Sequence, residues 1–170
     1  MDGLVLRYHG KLLDFALRHL RDREASADVA QACLVKVYQV AGSYQGRSSF
    51  RTWLYAIALN LIRDEARKRK RRGESLASEM ADEGSSEHEW AAGDDSAEDV
   101  ALGRIESIAL WSAVGDLPEQ HSSAVILRFR LGLTHDEIAE AMGAPSGTVK
   151  SWLHYALKSL RKSLASEDQI

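Results

Sequence analysis

Cysteine is almost missing from this chain of 170 residues: Cys33 is the only one. A single thiol excludes an internal disulfide and any zinc site built from a cysteine cluster. The six histidines show no ligand spacing, so no metal site is expected. Proline occurs twice, as Pro118 and Pro145, and no run of alternating β-branched residues is present. Those two shortages predict an all-α protein. No stretch of about 18 uninterrupted apolar residues occurs, which excludes an apolar membrane span. The first residues lack the basic-then-apolar order of a secretory signal, so a cytoplasmic setting is expected. No nucleophile–base set and no phosphate-binding loop can be found, so an enzyme is not expected.

What is present is charge, and it is segregated. The whole chain carries a net −3. Residues 1–75 hold 15 Lys+Arg against 8 Asp+Glu, a net +7. Residues 76–105 hold 1 against 9, a net −8, and residues 106–170 hold 6 against 8, a net −2. A basic block, an acidic segment and a near-neutral block predict two domains on a linker, with different electrostatic roles.

Helical spacing fills both blocks. Leu4, Tyr8, Leu12, Phe15 and His19 predict a first helix over about residues 2–21. Ser26 is the expected cap of a second, with Asp28 in its first turn and Val29, Cys33, Val37 and Val40 inward. Gly42 to Ser49 reads as a loop. Ser48 or Ser49 then caps a third helix, with Phe50, Trp53, Leu54, Ile57, Ala58, Leu61 and Ile62 inward. That helix runs into six consecutive cations, Arg67 to Arg72. Residues 73–96 are poor in large apolar groups, and such a segment cannot bury enough surface to offset its ordering entropy. Trp90 is its exception, as a docking residue or an exposed aromatic. The expected division is residues 1–75, a flexible acidic linker at 76–97, and a second domain at 98–170. In that domain Val100, Ile105, Ile108, Ala109 and Leu110 suggest a fourth helix. Asp116 to Glu119 is the expected start of a fifth, carried by Val125, Ile126 and Phe129 and ended by Gly132.

The last two helices carry the sharpest signal. Thr134-His-Asp-Glu137 has the form of a capping box, opening a short helix with Ile138, Ala139 and Met142. Gly143 ends it and Ala144-Pro145 turns the chain. Ser146 is the expected cap of a final helix. Val149, Leu153, Ala156 and Leu160 form its buried stripe, leaving Thr148, Lys150, Ser151, Trp152 and Tyr155 outside. A short helix, a glycine-containing turn and a longer polar-faced helix make a helix-turn-helix. The plainer reading of the same pattern is a helical hairpin packed in a core.

Two stretches together add a family. Asp28 to Tyr38 (Asp-Val-Ala-Gln-Ala-Cys-Leu-Val-Lys-Val-Tyr) and Ser49 to Asn60 (Ser-Phe-Arg-Thr-Trp-Leu-Tyr-Ala-Ile-Ala-Leu-Asn) resemble the sigma-two domain of extracytoplasmic-function sigma factors. Leu117-Pro-Glu119 through Leu127-Arg-Phe129, Thr134 to Gly143 and Gly147-Thr-Val-Lys-Ser151 resemble their sigma-four domain. Order and spacing agree over nearly the whole chain. The resemblance implies a dissociable subunit of bacterial RNA polymerase that recognises two promoter elements, helps open the DNA and needs no cofactor. Implied partners are core RNA polymerase, promoter DNA and an anti-sigma factor; the free protein is expected to be monomeric, with no membrane contact of its own. The helix-turn-helix alone also fits a stand-alone regulator acting on duplex DNA.

The resemblance places functions on residues. Family members often carry an acidic and an aromatic residue where this chain has Ala32 and Leu34, leaving Asp28, Gln31 and Lys36 as the expected polymerase contacts. The loop holding Tyr44, Gln45, Arg47 and Ser48 lies where the family captures a flipped base of the minus-10 element, a step that costs a few kcal/mol. Asn60, Arg63, Asp64 and Arg67 share a helical face and match its minus-10 contacts. Lys68, Arg69 and Lys70, in the basic end of the same helix, suit the phosphate backbone, each neutralised phosphate releasing counterions. Trp53 fits the family motif and is expected in the core. Ser146, Gly147, Thr148, Lys150, Ser151, Trp152 and Tyr155 are the expected minus-35 contacts. Trp152 and Tyr155 stand where the family often has arginine, which predicts fewer bidentate guanine contacts and more apolar contact with thymine methyls.

Overall fold

Helical spacing at both ends of the chain translates into helices. The computed structural model describes residues 2–77 and 109–167, and no strand occurs among the described residues. They fall into two compact units, one within Met1–His88 and one within Glu89–Ile170. Of the expected acidic linker, residues 76 and 77 belong to the end of the third helix. Its remainder, with Trp90, and the opening of the second domain with Val100, Ile105 and Ile108 lie outside the described residues.

The first unit packs three helices: α1 (Asp2–Leu20), α2 (Arg23–Val40) and α3 (Phe50–Ala77), with a short 3-10 turn at Ala41–Ser43. The cap of α2 is Asp22, not Ser26: its carboxylate accepts from the Ala25 N–H at 2.9 Å. Asp22 lies earlier in the chain and can reach that amide, so the helix starts three residues before Ser26. Ser26 is buried within the first turn and donates its hydroxyl to the Asp22 carbonyl. Asp28 consequently falls beyond the first turn. At the other end of the loop, Ser49 caps α3 as expected, its Oγ accepting from the Thr52 N–H at 3.1 Å.

The core of this unit is Leu12, Phe15 and Ala16 from α1, Val29, Cys33 and Val37 from α2, and Leu54, Tyr55, Leu59 and Ile62 from α3. Each fully buried large side chain contributes about 1.5–3 kcal/mol relative to exposure. Tyr55 and Leu59 replace the expected Phe50, Trp53, Ile57 and Leu61, which are half-buried. The reason is that α3 packs on both α1 and α2, so its buried stripe is wider and rotated from the one that pairing with a single helix would select.

The second unit runs α4 (109–115), α5 (Glu119–Val125), a π-helical turn (Ile126–Arg130), α6 (His135–Met142) and α7 (Ser146–Glu167). Helix α5 begins at Glu119, three residues after Asp116. The Asp116 N–H closes the preceding helix on the carbonyls of Ser112 and Ala113, and Pro118 holds the cap position without a side-chain bond. After Val125 the helix widens: the Leu131 N–H bonds the Ile126 carbonyl five residues back. The extra residue rotates Phe129 outward to 58% exposure, against the expectation that it faces the core. Gly132 then turns the chain at φ 68°. Ile126, Leu127, Leu133, Ile138, Val149 and Leu153 form the centre of this unit's core.

Candidate nucleic-acid interface

The helix-turn-helix begins at α6. Thr134 and Glu137 form the expected capping box, with Thr134 Oγ1 accepting from the Glu137 N–H at 3.2 Å and Glu137 Oε2 accepting from the Thr134 N–H at 2.8 Å. Gly143 ends α6 in the left-handed region at φ 64°, where a residue with a Cβ is strained. Ser146 is the first residue of α7 rather than its cap. The Pro145 carbonyl accepts the N–H groups of Thr148 and Val149, because the chain is already turned into the helix at the proline.

The buried stripe of α7 is the expected one, Val149, Leu153, Ala156 and Leu160. Gly147, Lys150, Ser151 and Tyr155 are exposed, and Ser146, Thr148 and Trp152 are half-buried. The Ser151 hydroxyl donates back to the Gly147 carbonyl at 3.1 Å. Its oxygen keeps lone pairs for an incoming donor. The Tyr155 ring meets His154 edge-on at 5.5 Å. A Cβ built at Gly147 would meet nothing within 4 Å, so the opening turn offers an unobstructed backbone surface.

In the first unit, Asn60, Asp64 and Arg67 are exposed along α3, with Arg63 half-buried among them. Arg67 pairs with Asp64, and Lys68 lies 3.9 Å from Glu65. Exposed pairs within one helix are weak, so a phosphate can displace these carboxylates at little cost. Lys70 is exposed on the same basic stretch. Arg69 is placed differently from its neighbours. It reaches across to Asp22 Oδ2 at 2.8 Å and to the Leu20 carbonyl at 3.2 Å.

The loop before α3 is held by its own aromatic. Tyr44 donates its hydroxyl to the Ser48 carbonyl at 2.6 Å, and its ring lies 5.0 Å from Trp53 and 6.0 Å from Phe50. Tyr44 is therefore part of the loop's wall, and Trp53 is half-buried beside it, where core burial was expected. Gln45 and Arg47 are exposed on either side of Gly46, whose φ of 67° sharpens the turn, and Ser48 is half-buried.

On α2, Asp28, Gln31 and Lys36 are exposed, and sequence reasoning missed two residues beside them. Val35 is 46% exposed and Tyr38 68% exposed. Both fall off the buried stripe of Val29, Cys33 and Val37, which was the available signal. Their spacing puts them on one face with Asp28 and Gln31. An open groove of about 740 Å³ separates this helix from α3 and brings Asp28 and Ala32 close to Leu61, Asp64, Arg67 and Lys70.

A three-helix unit with a basic helix end, followed by a helix-turn-helix unit with a polar reading helix, defines a two-domain helical DNA-binding factor. Residues 4–72 match the family model for Sigma-70 region 2 and residues 107–160 that for Sigma-70, region 4. The chain is 34% identical to the RNA polymerase sigma-H factor of Pseudomonas aeruginosa over 96% of its own length and 85% of that protein's. It is 30% identical to the ECF RNA polymerase sigma-E factor of Haemophilus influenzae, covering 95% and 85%. Its fold resembles that of the sigma factor RpoE of Bartonella quintana, solved with the anti-sigma factor NepR, at TM-score 0.76 and 22% identity over 96% of both chains. CnrH, solved with the cytosolic domain of CnrY, gives TM-score 0.65 and 22% identity over 97% and 87%. This chain belongs to the extracytoplasmic-function branch of the RNA polymerase sigma factors. Sigma factors bind core RNA polymerase and promoter DNA to initiate transcription and are not enzymes. No helix among the described residues is long and apolar enough to cross a membrane.

Proposed function

We propose that the exposed faces of α2, α3 and α7 divide the work of initiation. The carrying observation is that α3 and α7, each with an exposed polar face, stand in separate compact units with unlike surfaces, one strongly basic and one polar and aromatic. The α2 face of Asp28, Gln31 and Lys36, extended by Val35 and Tyr38, meets core polymerase. Two exposed apolar groups ringed by polar ones suit a protein interface. Asn60, Arg63, Asp64, Arg67, Lys68 and Lys70 lie along the minus-10 DNA. Gln45, Arg47 and Ser48 rim the base pocket, with Tyr44 as its wall. Ser146, Gly147, Thr148, Lys150, Ser151, Trp152 and Tyr155 take the minus-35 major groove, which admits a helix and presents a distinct pattern for each base pair.

The same faces suit silencing. An anti-sigma factor that covers the α2 face blocks polymerase without unfolding either unit. The structure of RpoE contains the anti-sigma factor NepR, and that of CnrH the cytosolic domain of CnrY. The protein acts in the cytoplasm, where polymerase is. The test is reconstitution: added to bacterial core polymerase, the protein is expected to co-elute with it and to direct run-off transcripts from a subset of its host's promoters. Folded protein that yields no specific transcript on a pool of all those promoters refutes the reading.

A further inference from the structure

The six cations that end α3 are not equivalent. We propose that Arg69 is a positioning residue: it fastens the basic end of α3 to the corner between α1 and α2, and so sets the direction from which Arg67, Lys68 and Lys70 meet DNA. This rests on the reading of α3 as the minus-10 helix and assigns one of its cations a separate task.

The corner is built from three parts. Leu20 is the last residue of α1, so its carbonyl is one of the acceptors that a helix end leaves without an intrahelical partner. Arg21 follows at φ 52°, a left-handed conformation uncommon for a residue with a Cβ, and turns the chain within two residues. Asp22 then caps α2 through Oδ1. The Arg69 guanidinium closes the assembly, with Nη1 on the Leu20 carbonyl at 3.2 Å and Nη2 on Asp22 Oδ2 at 2.8 Å. One planar fork thus joins the end of α1, the start of α2 and the shaft of α3. Its positive charge faces a helix C-terminus, where cations are favoured.

Position along α3 makes this contact consequential. Among the described side chains of that helix, the last buried one is Ile62. Arg69 lies seven residues further, ~10 Å along the axis at 1.5 Å per residue. The pairs of Arg67 with Asp64 and of Lys68 with Glu65 stay within α3 and tie it to nothing else. The Arg69 contacts span 47 and 49 residues of sequence and connect the basic stretch to the rest of the unit. Because Asp22 caps α2, they also fix α3 against the helix that meets polymerase. With two donors committed to the corner, Arg69 reaches a phosphate only by leaving it.

The experiment uses the full chain assembled with core polymerase. Promoter affinity is measured across a salt series for Arg67→Ala, Lys68→Ala, Lys70→Ala, Arg69→Ala, Arg69→Lys and Asp22→Asn, with hydrogen exchange over residues 63–72. Asp22→Asn keeps a good cap and removes the charge that holds Arg69. The three neighbours are each expected to lower the salt slope by about 0.9. Arg69→Ala and Asp22→Asn are each expected to weaken promoter binding by about three- to tenfold at fixed salt, leaving core affinity unchanged. Both should speed exchange over 63–72, their double variant should be no worse than either alone, and Arg69→Lys should not rescue. Tighter promoter binding by Asp22→Asn overturns the proposal, because Asp22 would then merely compete for a phosphate ligand. Promoter affinity unchanged in a folded Arg69→Ala protein also overturns it. If the three neighbours leave the slope unaltered while exchange still rises in the corner variants, the minus-10 reading of α3 fails and the fastening stands.

Discussion

Cys33 is fully buried, its Sγ 4.0 Å from the Leu54 carbonyl, and burial pushes its thiol up from 9.0 to about 12. Tyr55, beside it in the core, is raised from 10.0 to about 12, again chiefly by burial. The sign of the linkage follows from the neutral forms being the favoured ones in the fold. Stability from both groups is fully present below pH 9 and is lost as pH rises toward 12, because the unfolded side chains ionise first. A thiol reagent at pH 8 is therefore expected to label Cys33 only as fast as the first unit opens, and labelling should accelerate with denaturant. Rapid labelling of the native protein would contradict this burial. On α7, changing Trp152 or Ser151 is expected to shift base preference in a binding-site selection, at about 1–3 kcal/mol per lost specific contact. Lys150→Ala should instead weaken all sequences alike, as loss of a phosphate contact does. At this scale the sequence was legible where one side chain acts on its own turn, as Thr134 and Glu137 do. It was not where two candidates compete: Asp22 and Ser26 can each cap α2, and nothing local shows that Asp22 also holds a partner 47 residues away.

Among the elements, α6 and α7 were the most readable, since a capping box, a glycine end and one apolar stripe all agreed. Of the expected stripe of α3, Leu54, Ala58 and Ile62 are buried while Phe50, Trp53, Ile57 and Leu61 are half-buried, because contacts from two helices decide it. The π-helical turn was invisible: a helix that takes in one extra residue shows no local signal, and Phe129 emerges outside as a result. Replacing Thr134 with Ala is expected to cost about 1 kcal/mol in the unfolding of the second unit, the usual value of a lost cap. Gly147→Ala separates folding from function. A helical alanine with nothing within 4 Å of its Cβ should stabilise α7 by about 0.5–1 kcal/mol. Promoter affinity should fall at the same time if the DNA backbone comes close to that turn. A gain in stability with full affinity retained would show that DNA does not approach there.

For the molecule as a whole, each unit has its own core of buried side chains. Residues 1–77 alone are expected to keep their helical circular dichroism and the protection of Cys33; a fragment that unfolds would show that this core is insufficient. Charge adds a consequence of another kind. The basic end of α3 belongs to a first block of net +7, yet the complete chain is −3. A free subunit bearing only its basic part would be drawn to any duplex, and a genome offers millions of decoy sites. Carrying its counter-charge on the same chain, the full protein is expected to bind arbitrary duplex DNA at low salt more weakly than residues 1–77 do by themselves. Segregated charge then governs where the molecule spends its idle time: in solution and available to polymerase, rather than parked along the chromosome.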